Sequence, residues 1–278
     1  MSVINSNINS LVAQQANVVN TRSQARTMEQ LSTGKRINGA ADDAAGLAIS
    51  NKMTSQIRGL NQAVRNANDA VSMIQVAEGG TNEVTSMLQR MRELAVQSIN
   101  GSYTTGDVRA IRTEYQQLSK EIDRISDNTE WNTKKIANGV VGSTDFQVGA
   151  NSSQTITVTF VDLMALSGLS STVVSAVNAA SVGAFALDAA TITVLDRAIA
   201  SVDGYRAKLG STINRLNYAA DNLTNVSINT SASRSRIQDT DYAKATTELA
   251  RTQIIQQAAT AMLAQANQQP QAVLSLLR

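Results

Sequence analysis

A single proline in 278 residues, Pro270, is the feature that most narrows the folds open to this chain. Proline removes an amide donor and clashes with the preceding helical turn, so its near absence leaves long helices unbroken. Heptad spacing supplies the residues to fill them. Met53, Ile57, Leu60, Val64, Ala67, Val71 and Ile74 recur alternately four and three residues apart. After Ile74 the phase slips, and Ala77, Thr81, Val84, Leu88, Met91 and Ala95 resume the pattern. Gly79-Gly80 lies at the slip, which suggests a bend or a loosened turn. Val108, Ile111, Tyr115, Leu118, Ile122 and Ile125 form another stripe. The longest is Ile192, Leu195, Ile199, Val202, Arg206, Leu209, Ile213, Leu216, Ala220 and Leu223, with Arg206 its one polar member. A period of 3.5 keeps a single seam facing a partner helix. The expected fold is therefore mainly α, with long antiparallel helices in coiled-coil packing. The chain is 42% hydrophobic but only 3% aromatic, and small aliphatic side chains suit such close seams.

The breaks are equally readable. Asn100-Gly101-Ser102 ends one helix with turn chemistry, and Gly106-Asp107 is expected to start the next with Asp107 as its N-cap. From Gly139 to Asp162 the period changes. Phe146 and Val148, then Thr155 to Phe160, alternate around Gly149-Ala150-Asn151-Ser152-Ser153, which predicts a small β-hairpin near 140–160. Leu163 to Ala190 is small, Ser- and Ala-rich and weakly patterned, and reads as an exposed loop or short helix.

The two ends share a design. Ile4, Ile8, Leu11 and Val18 lie on one face near the start; Ile255, Ala259, Met262, Ala266, Val273 and Leu276 do so near the end. Neither end carries enough large apolar residues for a core of its own, and helices need a buried face to be stable. Two readings stay open. The ends pack on the rest of one globule, or they are adhesive termini that become ordered when many copies assemble.

Composition excludes much else. With no Cys and no His, the commonest zinc ligands, thiol nucleophiles and imidazole bases are missing. No phosphate-cradling glycine loop is present, and no cofactor is expected. Net charge is +2 with interspersed charges, and Lys134-Lys135 is too small a basic spot for nucleic acid. Asp42-Asp43 and Asp239/Asp241 read as acidic groups at helix starts rather than convergent catalytic carboxylates. Val173 to Leu187 is too short and too interrupted to span a membrane, and Met1 to Leu11 lacks the charged and apolar regions of a signal peptide. The Asn-X-Ser/Thr triplets at Asn100, Asn151, Asn222, Asn225 and Asn229 are read as chance.

Several long runs resemble bacterial flagellins. They are Leu31-Ser-Thr-Gly-Lys-Arg-Ile-Asn-Gly-Ala-Ala-Asp-Asp-Ala-Ala-Gly-Leu-Ala-Ile49, Gln89-Arg-Met-Arg-Glu-Leu-Ala-Val-Gln97, Phe146-Gln-Val-Gly-Ala-Asn151, Ser235-Arg-Ile-Gln-Asp-Thr-Asp-Tyr242 and Pro270-Gln-Ala-Val-Leu-Ser-Leu-Leu-Arg278. The resemblance covers roughly residues 2–160 and 190–278. It implies a chain folded back on itself, with residues 1–45 and 235–278 paired in the inner core of a filament. Residues 46–162 with 190–234 would form an outer helical domain, and 163–189 a short variable surface insert. The implied function is a structural, non-enzymatic subunit that polymerises into the extracellular flagellar filament for swimming. The alternative is a hook–filament junction protein of the same superfamily.

The resemblance also implies partners and contacts. Ile4, Ile8, Leu11, Val18, Ile255, Met262, Val273 and Leu276 would carry filament assembly. Val273, Leu274, Leu276 and Leu277 match the segment bound by the flagellin export chaperone. Gln89, Arg90, Leu94 and Gln97, with Glu114 on the next helix, match positions read by the innate immune receptor for flagellin; the alternative is that the same residues simply pack or pair between subunits. Filament cap and hook-junction proteins would be further partners. No nucleic acid and no membrane insertion are implied.

Overall fold

The computed structural model describes residues 7–166 and 189–275, with side chains up to residue 268. In chain order these residues form α1 (Ile8–Thr33), α2 (Ala44–Ile99), α3 (Thr105–Asn128), β1 (Glu130–Trp131), β2 (Lys134–Lys135), β3 (Ser143–Gln147), β4 (Thr155–Thr159), α4 (Leu163–Leu166), α5 (Ala189–Gln238) and α6 (Tyr242–Ser275). Long helices dominate, as the heptads predict. The chain divides into two compact units, Met1–Ile57 with Ile228–Arg278, and Arg58–Ser227. The long helices α2 and α5 each contribute to both.

The larger unit is built on the heptad stripes. Ala67, Ile74, Ala77, Val84, Leu88 and Met91 of α2 are buried with Ile111, Tyr115 and Ile122 of α3 and with Leu195, Val202, Leu209 and Leu216 of α5. Polar bridges fix the antiparallel register of α2 and α5: Ser227 Oγ donates to Asn61 Oδ1 at 2.9 Å, and Arg92 Nε to Asp196 Oδ1 at 2.6 Å. The bridges are equally far apart along both helices, so the seam keeps one register between them. Gly79-Gly80 does not interrupt α2. The glycine serves a close approach instead: a Cβ on Gly80 would lie 3.1 Å from Thr129 Oγ1.

The start of α3 corrects the expected cap. Thr104 is the N-cap, and Asp107 stands three residues on, where its carboxylate accepts the Thr104 N–H while Thr104 Oγ1 accepts the Asp107 N–H. This reciprocal capping box satisfies two orphan donors. Thr104→Ala should lower the unfolding free energy by about 1 kcal/mol, measured by denaturant titration.

Both hairpins are antiparallel. The β1–β2 turn is Asn132-Thr133, with φ of 48° and 66° as a two-residue turn requires. The predicted hairpin is β3–β4, pairing Phe146 with Ile156, and Val158 and Phe160 enter the core. Leu163 and Met164 of α4 are buried there too, so the stretch expected as a surface insert begins as core packing. Residues 167–188 of that stretch lie outside the described residues.

Candidate functional site

In the smaller unit α1 and α6 pair side by side, and their seam is made of unexpected residues. On α1 the buried or half-buried positions include Ser10, Ala13, Asn17, Asn20, Gln24, Thr27 and Leu31, alternately three and four apart, with Gln30 flanking them. On α6 they include Ala245, Leu249, Thr252, Gln256, Ala259, Leu263 and Ala266, in the same spacing, with Glu248 flanking them. This is a coiled-coil seam written largely in small and polar side chains. Hydrogen bonds give it register and direction: Asn7 Nδ2 donates to Ala266 O, Ser10 Oγ to Asn267 Oδ1 and Asn20 Nδ2 to Thr252 O, each at 2.8 Å. The helices are therefore antiparallel.

Most of the large apolar residues point the other way, Leu31, Leu249 and Leu263 excepted. Ile8 is 58% exposed, Leu11 62% and Met262 65%, and Val18 and Ile255 are also exposed. Val12, Val19, Met28 and Ile254 join them. Between the helices runs a groove of about 580 Å³ lined by Val12, Ala16, Val19 and Ile255, with the Glu248–Arg251 ion pair also on its wall. A helix pair that buries threonine and asparagine while exposing isoleucine, leucine and methionine has its sticky surface outward. Of the eight residues expected to carry assembly, five are placed on this outward surface. Ile4 and Leu276 lie outside the described residues, and Val273 lies on α6 with its side chain undescribed. The same holds for the chaperone segment, where Leu274 is on α6 and Leu277 lies outside the described residues.

Two of the sequence runs meet at the base of this pair. Gly34, with φ of 69°, ends α1. Lys35 then bridges to Asp239, Arg36 N–H donates to Gln238 O at 2.6 Å, and Thr240 N–H to Gly34 O at 3.0 Å. Arg36 Nη2 adds a bond to Ile237 O at 2.7 Å, and Ser50 Oγ donates to Gln238 Oε1. One member of each acidic pair is a helix-start group, while Asp42 and Asp239 serve the loop and the bridge instead. Asp43 accepts the Gly46 N–H at 2.8 Å to cap α2, and Asp241 accepts the Ala243 and Lys244 N–H groups at the start of α6. Glycine at 46 leaves these side chains room, because a Cβ there would sit 2.5 Å from Asp43 Oδ2 and 2.7 Å from Ile37 Cδ1 and both would have to shift.

Asp42 closes the loop. One of its oxygens accepts the Asn38 and Gly39 N–H groups, and the other pairs with Arg26 at 2.9 Å. These two backbone bonds, with Arg26 adding to them against partial burial, hold its carboxyl below the ordinary value of 3.8. A depressed carboxylate contributes stability that is full above its ordinary range and lost as pH falls through its folded value. Hydrogen-exchange protection of the Asn38 and Gly39 amides, corrected for intrinsic exchange, should therefore fall in acid below 3.8. In Asp42→Asn that pH dependence should flatten.

The segment expected to be read by an immune receptor divides in two. Gln89, Arg90 and Gln97 are exposed on α2 and Glu114 on α3. Arg90 joins Glu93 and Glu114, both at 2.9 Å, so Arg90 and Glu114 pair within one chain rather than between subunits. Leu94 is 1% exposed and belongs to the core of the larger unit. In the free chain it is a packing residue. Among the described residues no group of His, Cys, Asp or Glu could hold a metal, and no helix is long and apolar enough to cross a membrane.

Comparison with known proteins agrees with this architecture. The family model for the bacterial flagellin N-terminal helical region matches residues 4–141, and that for the C-terminal helical region matches 192–277. A flagellin of Halalkalibacterium halodurans is 47% identical over 99% of this chain and 100% of its own length. A flagellin of Bacillus subtilis is 43% identical over 99% of each. Among solved structures, a Vibrio parahaemolyticus protein named as flagellar hook-associated shares the fold, with a TM-score of 0.59 over 71% of this chain and 100% of that one, at 13% identity. That likeness concerns the fold alone; the sequence kinship is with flagellins, and the junction-protein alternative is not favoured. The chain belongs to the bacterial flagellin family, whose members are structural subunits of the flagellar filament and not enzymes.

Proposed function

We propose that the outward apolar surface of α1 and α6 is the polymerising element of this filament subunit, and that second copies of the same chain cover it. The carrying observation is the inverted helix pair: a polar seam inside, with Leu11, Val18, Ile255 and Met262 left in water. Contacts that do not close a ring produce an open helical polymer. Residues 1–45 with 235–278 then form the inner core, and 46–162 with 190–234 the outer domain. The polymer works outside the cell as the flagellar filament that drives swimming. Its free subunits meet the export chaperone through Val273, Leu274, Leu276 and Leu277, and the cap and hook-junction proteins at the filament ends. The exposed Gln89, Arg90, Gln97 and Glu114 are the surface an innate immune receptor would touch, with Leu94 shaping it from beneath.

Electron microscopy of the full chain, seeded and concentrated, tests the central reading against a chain lacking residues 1–45 and 235–278. Filaments from the first and folded monomers from the second support it. A full chain that stays monomeric after seeding overturns it.

A further inference from the structure

Three Asn-Gly pairs occur in the chain: Asn38-Gly39, Asn100-Gly101 and Asn138-Gly139. Glycine lacks the Cβ that would hinder its backbone nitrogen from reaching the side-chain carbon of the preceding asparagine. Such a pair can therefore cyclise and lose its amide, provided the local backbone can open. The three pairs differ sharply in that freedom.

At Asn38 the reactive atoms are tied down. Its Nδ2 donates to Lys35 O at 3.0 Å, and the Gly39 N–H donates to the Asp42 carboxylate at 3.1 Å. A carboxylate on that amide opposes the deprotonation that the attack requires. At Asn138 the backbone is fixed on both sides. Leu163 N–H donates to Ala137 O and Phe160 N–H to Gly142 O, both at 2.9 Å. Gly139 has φ of 74° and is crowded, since a Cβ there would lie 3.0 Å from Asp162 Cβ. Asn100 follows the last residue of α2 in an exposed turn, and nothing lies within 4 Å of a Cβ placed on Gly101. Its backbone bonds are long, 3.2 Å to Gln97 O and 3.4 Å from Tyr103 N–H.

We propose that Asn100 is a site of spontaneous deamidation in the folded subunit, and that the Asn38 and Asn138 pairs are held against the same reaction. The Gly101 backbone nitrogen gives its proton to solvent base and attacks Asn100 Cγ. The new N–Cγ bond forms, the Cγ–Nδ2 bond breaks, and ammonia leaves with a proton from water. The Ser102 N–H, 3.3 Å from Asn100 Oδ1, steadies the oxygen as charge gathers on it. Water then opens the five-membered ring at either carbonyl, giving aspartate or isoaspartate, with no oxidant or reductant involved. The product carries a carboxylate at the C-terminal end of α2, where the helix carbonyls already present negative partial charge. It also disturbs the turn spanned by the Gln97–Tyr103 hydrogen bond. The outcome is a charge mark that accumulates with the age of the subunit.

The test is to age the full soluble chain in mildly alkaline buffer, digest it with trypsin, and follow amide-to-acid conversion by mass spectrometry. Asn100 is read in the fragment 93–109, where it is the one asparagine. Conversion at Asn100 should outpace that at Asn38 and Asn138 by at least ~10-fold, and the three rates should converge when the chain is aged in denaturant. Gly101→Ala should slow Asn100 in the folded chain, and an isoaspartate-specific methyltransferase should label the aged wild-type fragment. Equal rates at the three sites in the folded chain, or an Asn100 that persists while either other site converts, would overturn the proposal.

Discussion

A subunit carrying Leu11→Asp should fold as a normal monomer and lose the ability to grow filaments at ordinary concentrations. Leu11 is 62% exposed in the free chain. Replacing it there acts as a surface substitution, worth within about 0.5 kcal/mol plus a helix-propensity loss of at most about 0.7. In the proposed polymer a second copy covers the same position. The variant then forfeits roughly 1.5–3 kcal/mol of leucine burial and must desolvate a carboxylate as well. A combined loss near 4 kcal/mol per subunit corresponds to a rise of about 10³ in critical concentration. Sedimentation of seeded samples measures that quantity, and circular dichroism of the monomer supplies the folding control. Leu11→Met keeps the volume and the apolarity, and should polymerise close to normally. Were Leu11→Asp to polymerise like the parent chain, the outward face of α1 would not be the covered surface.

The asymmetry between the two effects follows from where the apolar residues sit, and this is also where sequence reading reached its limit. In the larger unit, heptads of Ile, Leu, Val and Met coincide with the buried positions, because there the seam and the hydrophobic stripe are the same residues. In α1 and α6 they separate. The seam runs through Asn20, Thr27, Ala245 and Thr252, while Leu11, Val18 and Met262 stand outside it. A search weighted towards large apolar side chains finds the outer face and misses the inner one. The signal was present, since Ser10 to Leu31 and Ala245 to Ala266 hold a three–four spacing, but half of those positions are Ser, Thr, Asn or Gln, which seldom mark a core.

Other differences have similarly local causes. Thr104 displaced Asp107 as cap because either residue can accept an N–H at a helix start, and only backbone geometry decides which stands outside the helix. The junction of Gly34–Arg36 with Ile237–Thr240 rests largely on backbone donors and acceptors, which carry no residue signature. Gly80 admits Thr129 rather than loosening α2, a role visible only once α3 is in place. The resemblance set Arg90 and Glu114 on neighbouring helices, where they pair, whereas the burial of Leu94 was not read from the heptads, whose stripe passes through Met91 and Ala95 and leaves Leu94 beside it.

That burial governs the second large effect. Leu94→Ala should lower the stability of the larger unit by about 3 kcal/mol, within the range of roughly 2–5 kcal/mol for a buried leucine truncated in a packed core. Arg90→Ala and Glu114→Ala remove an ion pair whose side chains are 50% and 47% exposed, and each should cost less than about 1 kcal/mol. Thermal and denaturant unfolding of the monomers separates the two classes directly. The same contrast decides how any receptor measurement is to be interpreted. A weaker response from Leu94→Ala follows from a loosened helix pair as readily as from a lost contact, so that variant alone identifies nothing. Leu94→Met largely preserves volume and packing, with a cost under about 1.5 kcal/mol, and it should keep both stability and receptor response. Arg90→Ala should keep stability and lose response if the exposed α2–α3 surface is what the receptor touches. A response lost in Leu94→Met, with its unfolding midpoint unchanged, would mean that this side chain leaves the core to make the contact itself.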